Sequence, residues 1–145
     1  MYLYLMRHGE AQPGLRDLER VLTARGEIQV EDQATYLANQ KVTIGCIYHS
    51  DYCRAAQTAK ILGQFIQPTI LKEFKGLHPQ DDVENLLPEI DRWTQPTLLV
   101  GHLPHLAYLV YSLCHTEVEF RPATLVVVHR KTRGWSLQAL RHAKG

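Results

Sequence analysis

Cysteine is scarce in this chain. Cys46, Cys53 and Cys114 are scattered through 145 residues. An odd, widely spaced set is poor material for a disulfide framework, and no Cys or His pair has the spacing of a structural zinc site. Long hydrophobic runs are also missing. No stretch approaches the roughly 20 apolar residues of a membrane span. The N-terminal Met-Tyr-Leu-Tyr-Leu-Met-Arg-His-Gly is too short an apolar run for a signal peptide and lacks a basic start. A cytoplasmic location is therefore expected. There is no excess of charge of either sign: the formal net charge is +1. That balance gives no global attraction for nucleic acid or for an anionic membrane, so an anionic ligand has to be held by local arrangement. No internal repeat or low-complexity segment is visible.

What is present is an ordinary globular composition, 45% hydrophobic and 21% charged, in a length that suits one domain spanning 1–145 with a real core. Residues 2–6 are a short apolar run and predict a strand. Ala24–Asn39 predicts a helix, with Val30, Ala34, Leu37 and Ala38 at helical spacing and Thr23 as its N-cap. Ile44–Tyr48 reads as a second strand and Cys53–Phe65 as a second helix, its apolar face made by Ala55, Ala56, Ala59, Leu62 and Phe65. Thr69–Leu71 is a short strand and 73–82 a loop. Asp82–Trp93 predicts a helix that Pro88 interrupts or kinks. Thr97–Val100 is a strand, and Pro104 opens a helix running to about Cys114. Ala123–His129 and Trp135–Leu140 predict a closing hairpin joined by Lys131–Gly134. This alternation predicts an α/β fold: one three-layer domain with a mostly parallel sheet, helices on both faces and a C-terminal antiparallel hairpin.

In such a sheet ligands bind beyond the carboxyl ends of the strands. Arg7, His8, Gly9 and Glu10 follow the first strand. His49, Ser50 and Asp51 follow the second, with Arg54 in the next helix. Gly101 and His102 follow Thr97–Val100. Three separate strand ends thus deliver imidazole and guanidinium groups to one rim. A phosphoryl group is stabilised mainly by positioning and charge. Arginine matches it with a planar fork of donors, which fits Arg7 and Arg54. The helix start after Pro104 adds a positive dipole end, Gly9 and Gly101 permit close backbone approach, and Ser50 reads as a helix cap or a phosphate-side donor. Neutral imidazole is a competent covalent nucleophile near pH 7. His8 is the candidate nucleophile and His102 the second imidazole, stabilising the charge on the transferred group. This chemistry calls for no cofactor or metal.

Arg7-His8-Gly9-Glu10 after an N-terminal strand resembles the signature of the histidine phosphatase superfamily, the phosphoglycerate mutase-like proteins. Leu22-Thr23-Ala24-Arg25-Gly26 resembles its second block. Ser50 to Ala59 resembles the third and Val100-Gly101-His102-Leu103-Pro104 the fourth. The blocks come in the family's order, and the short length is similar to that of the small SixA type, with no room between Thr58 and Gly101 for the helical lid of larger members. The resemblance implies a phosphatase in which His8 is the nucleophile and Arg7, Arg54 and His102 form the phosphate pocket. It also implies as substrate the phosphohistidine of a signalling histidine phosphotransfer domain.

The chain departs from the family at two points. Asp51 stands where proline is common. The stretch Lys72 to Asp82 also lacks the usual surroundings of the glutamate that protonates the leaving oxygen. Glu10, Glu73, Asp81 and Asp82 are the candidate general acids, while an imidazole leaving group needs less acid than an alkoxide. Two other readings stay open: a phosphomonoesterase for a small phosphometabolite or nucleotide, and a non-catalytic module that binds phosphorylated partners. His49, His78, His105, His115, His129 and His142 read as structural or surface histidines. The basic loop of His129, Arg130, Lys131 and Arg133 reads as a solvated turn that could dock an acidic partner.

Overall fold

A computed structural model describes all of residues 1–145. Six strands form one sheet: β1 (Tyr2–Arg7), β2 (Cys46–His49), β3 (Ile70–Glu73), β4 (Thr97–Gly101), β5 (Leu125–Arg130) and β6 (Trp135–Arg141). Their order across the sheet is β3-β2-β4-β1-β5-β6. β3, β2, β4 and β1 run parallel, and β5 and β6 complete the sheet as an antiparallel hairpin. The helices are α1 (Ala24–Asn39), α2 (Cys53–Ile66), α3 (Leu87–Arg92) and α4 (His105–Cys114).

Side chains alternate across a strand, and this alternation divides the interior in two. Tyr4, Met6, Leu98 and Val100 face the layer that contains Val30, Ala34 and Leu37 of α1 and Ala55, Ala59 and Leu62 of α2. Leu3, Leu5 and Leu99 face Leu86 and Ile90 on one side and Leu106, Leu109 and Val110 of α4 on the other. The expected helices on both faces follow from that division.

Three element boundaries differ from the sequence reading for identifiable reasons. Asp82–Trp93 is not one helix: a 3-10 turn at Val83–Asn85 stops at Leu86, and α3 then starts with Pro88 in its first turn, where the missing N–H costs nothing. The loop expected at 73–82 begins one residue later, because Glu73 still pairs with His49 in the parallel ladder. β5 starts at Leu125 rather than Ala123, because Ala123 takes a left-handed φ of 59°. The Ala123 turn is anchored by buried Gln33 of α1, whose amide donates to the carbonyls of Ala123 and Arg141 at 2.9 and 2.8 Å. No helix is long and apolar enough to cross a membrane.

Candidate active site

Strand register brings the site together. Arg7 lies opposite Gly101 in the β1–β4 ladder, and His49 lies opposite Val100 in the β2–β4 ladder. The three strands end nearly level, so His8, Ser50 and His102 become neighbours although distant in sequence. The His8 backbone is fixed on both sides: its N–H donates to Gly101 at 3.2 Å and its carbonyl accepts from Ala123 at 2.9 Å.

The His8 ring is oriented by its own turn. Nδ1 lies 2.7 Å from the Gly9 carbonyl. A carbonyl can only accept, so Nδ1 carries the proton and Nε2 keeps its lone pair. Arg54 Nε donates to that Nε2 at 3.2 Å. Burial lowers the His8 pKa to about 4, and the charges of Arg54, Arg7 and Arg20 push the same way against the Gly9 hydrogen bond. His102 stands with its ring centroid 5.1 Å from that of His8. Its pKa falls to about 3, again through burial first and then through His8, Arg54 and His78, opposed by Asp17. Both imidazoles are neutral at physiological pH, so His8 presents an uncharged nucleophile.

Around them sits concentrated positive charge. Arg54 is buried, donates to the Asp17 carbonyl at 2.7 Å and to its carboxylate at 3.3 Å, and lies over the Tyr52 ring at 4.7 Å. Arg7 donates to Phe120 O at 2.9 Å, while its buried Nε has no partner. Burial and the charge of Arg54 together lower the Arg7 pKa. Each guanidinium group feels the other's charge, which favours an anion beside them. Ser50 Oγ lies 2.7 Å from His102 Nε2 and accepts the Tyr52 N–H at 3.3 Å. Ser50 therefore turns the chain into α2 and also touches the second imidazole. Thr58, one turn along α2 from Arg54, accepts the Gly9 N–H at 3.2 Å and donates to the Arg54 carbonyl at 2.8 Å. It couples the nucleophile loop to the arginine helix.

The glycines also allow close packing within the protein. A Cβ on Gly9 would lie 2.6 Å from the Gly26 carbonyl oxygen, and a Cβ on Gly26 would lie 2.1 Å from the carbonyl oxygen of Glu10. These contacts let the His8 loop approach the start of α1 closely. At Gly101 the neighbour is likewise protein, the Leu106 side chain at 3.2 Å. Thr23 caps α1 as expected, accepting from Gly26 N at 2.9 Å. Pro104 is the residue that precedes α4 rather than its first helical position.

The four candidate acids are dispersed. Glu10 accepts from the Thr23 hydroxyl at 2.8 Å and lies 3.9 Å from Arg25, so it belongs to the α1 cap. Asp82 caps the 3-10 turn through Glu84 N at 3.0 Å. Asp81 accepts from the His78 N–H at 2.9 Å. Glu73 and Asp81 line a cavity shared with Asp51 and His78. His78 is a half-exposed surface histidine with a carboxylate partner. Its Nε2 lies 2.6 Å from Asp51 Oδ1, and its ring meets the edge of Tyr52 at 5.2 Å. Asp17 and Arg20, paired at 3.0 Å, also went unnoticed in the sequence. They lie in an aperiodic polar stretch where nothing marks one residue above another. For His78 there was a signal: the aspartate at position 51 in place of proline.

The basic loop lies at the other end of the sheet. His129 pairs with Tyr2, at the start of β1, and stacks on it at 4.2 Å. Arg130 donates to the carbonyls of Asp91 and Trp93 at 3.1 and 2.9 Å, neutralising the end of α3. It is a structural clamp remote from His8. The three cysteines are free thiols, and no group of three or more His, Cys, Asp or Glu side chains is placed to hold a metal ion.

Comparison with known proteins agrees with this geometry. The family profile described as histidine phosphatase superfamily (branch 1) matches residues 3–97. The phosphohistidine phosphatase SixA of Escherichia coli is 32% identical over 123 residues, covering 81% of this chain and 76% of that protein. A structure of the protein histidine phosphatase SixA complexed with tungstate superposes with a TM-score of 0.91 at 26% identity, covering 98% of this chain and 97% of the other. A mycobacterial glucosyl-3-phosphoglycerate phosphatase shares the fold at a TM-score of 0.72 and 16% identity, over 99% of this chain and 99% of that one. With its four sequence blocks gathered on one sheet edge and two thirds of its length matched by the family profile, this chain belongs to the histidine phosphatase superfamily, as a small member of the SixA type.

Proposed function

We propose that this phosphatase hydrolyses phosphohistidine on a protein, most specifically on a histidine phosphotransfer domain, by way of a phosphoryl group carried on His8. The observation that carries this reading is the His8 ring itself: buried, neutral, with Nδ1 bound to the Gly9 carbonyl and Nε2 turned to Arg54 at 3.2 Å. The Nε2 lone pair forms the bond to phosphorus while the bond to the leaving nitrogen breaks. The Nδ1–H···O=C contact stabilises the positive charge that develops on the ring. Arg7 and Arg54 offset the charge on the phosphoryl oxygens as it transfers, with His102 beside them as a neutral hydrogen-bonding group. Water then displaces His8 and releases phosphate.

Support for a phosphohistidine substrate comes from the SixA relatives, which are named for that activity. The test compares kcat/KM on a phosphorylated phosphotransfer domain with that on a panel of small phosphoesters and nucleotides. The phosphoprotein should be turned over at least about tenfold more efficiently, which corresponds to about 1.4 kcal/mol of transition-state discrimination. Equal or better turnover of a small ester overturns the protein substrate.

A further inference from the structure

At the rim beside His102 the molecule carries a second histidine with a carboxylate partner. His78 Nε2 and Asp51 Oδ1 are 2.6 Å apart, with side chains 49% and 46% exposed. Asp51 directly follows Ser50, which touches His102. The Tyr52 ring packs on His102 at 4.7 Å and against His78 at 5.2 Å, so a single aromatic ring separates the two imidazoles. They are close enough for the charge of His78 to disfavour protonation of His102. A cavity of about 550 Å³ opens beside the pair, with Asp51, Glu73, His78 and Asp81 in its wall. That volume lies in the range of ligand sites.

A carboxylate on one ring nitrogen orients an imidazole and fixes which nitrogen is left free, the arrangement that lets histidine give a proton and take it back. Three of the four candidate carboxylates are otherwise engaged, Glu10 by Thr23, Asp82 by Glu84 N and Asp81 by the His78 backbone, while Glu73 shares the cavity wall without the imidazole partner that Asp51 has. We propose that His78, oriented by Asp51, is the proton donor to the leaving group. The assignment rests on the phosphatase reading above. In the first step the His8 Nε2 lone pair forms the N–P bond. The bond from phosphorus to the leaving atom breaks, its electron pair stays on that atom, and the His78 imidazolium supplies the proton. Nε2–H is committed to Asp51, so the proton comes from Nδ1. In the second step a water oxygen bonds to phosphorus and the N–P pair returns to His8. The water proton passes to neutral His78, which restores the imidazolium.

The test uses two aryl esters, p-nitrophenyl phosphate and phenyl phosphate. Nitrophenolate departs readily without a proton and phenolate does not. kcat/KM reports the steps up to formation of phospho-His8. In His78→Gln and in Asp51→Asn, kcat/KM for phenyl phosphate should fall about 100-fold. For the nitrophenyl ester it should fall far less, so that the ratio between the two esters shifts by about 30-fold or more. Equal losses on both esters, or no loss on either, overturn the assignment. Wild-type protein that turns over neither ester nor a phosphorylated phosphotransfer domain removes the phosphatase reading itself, and this inference with it. Both side chains are half exposed and outside the core, so melting curves close to wild type are expected to accompany the kinetics.

Discussion

At the scale of single residues, burial and charge decide the chemistry. A solvated histidine is part protonated near neutrality, whereas burial lowers the His8 pKa to about 4 and so keeps the lone pair available. Arg54 sits nearest to that lone pair, and its guanidinium is held by the Asp17 carbonyl, the Asp17 carboxylate and the Tyr52 ring. Truncation to Ala removes a charged donor from a water-poor site. Arg54→Ala should lower kcat by about 100- to 1,000-fold and leave the melting temperature within a few degrees of wild type. Steady-state kinetics with a generic aryl phosphate measures this, and a loss below about threefold, well short of what a charged donor supplies, places Arg54 outside the pocket.

At the scale of elements, the site depends on how closely the His8 loop packs on α1. Alanine is the better helix former than glycine by about 1 kcal/mol. At position 26, however, a Cβ would lie 2.1 Å from the Glu10 carbonyl oxygen. Backbone cannot move away as a flexible side chain can, so overlap outweighs propensity. Gly26→Ala should destabilise the fold by about 2 kcal/mol and depress activity beyond what the lost stability explains, because the loop that shifts carries His8. Denaturant melts read beside kinetics test this, and a variant as stable and active as wild type contradicts the packing. Sequence spacing gave α1 its bounds and its Thr23 cap, because a long amphipathic helix repeats its signal over several turns. It missed the role of Gly26 because the partner surface, the Glu10 backbone, is remote in the chain. The broken 82–93 segment shows the same limit: Pro88 signalled an interruption, but its position depended on where Leu86 and Ile90 meet the sheet.

At the scale of the whole molecule, fold class and the central site were legible and the periphery was not. His8, Arg7 and His102 could be grouped because each stands at or just past a strand end, and Arg54 because it lies in the first turn of the helix that follows β2; the register of parallel strands brings such positions together. His78, Asp17 and Arg20 reach the site through loops, whose paths carry no periodic signal. The packing of Gly9 and Gly26 between the His8 loop and α1, and the contacts of Arg130 with the end of α3, are likewise visible only in the folded chain.

Burying histidines has a global consequence for stability. The folded pKa of His8 lies below that of the unfolded chain, so between pH 6.5 and about 4 the unfolded state binds more protons. Stability from this group is therefore fully present above pH 6.5 and is lost as pH falls toward 4, by roughly 3 kcal/mol at the lower end. His102 adds a loss of the same sign. Urea melts of wild type and His8→Gln across that range should diverge, with the shallower dependence in the variant. Parallel curves contradict a neutral, buried His8.

The account turns on a covalent bond to one nitrogen. Rapid quenching during turnover of a ³²P-labelled phosphorylated phosphotransfer domain, followed by peptide mapping under alkaline conditions that preserve phosphohistidine, tests it most directly. The predicted result is label on the peptide containing His8, absent in His8→Ala along with turnover. Label on another residue, or undiminished turnover by His8→Ala, would contradict it.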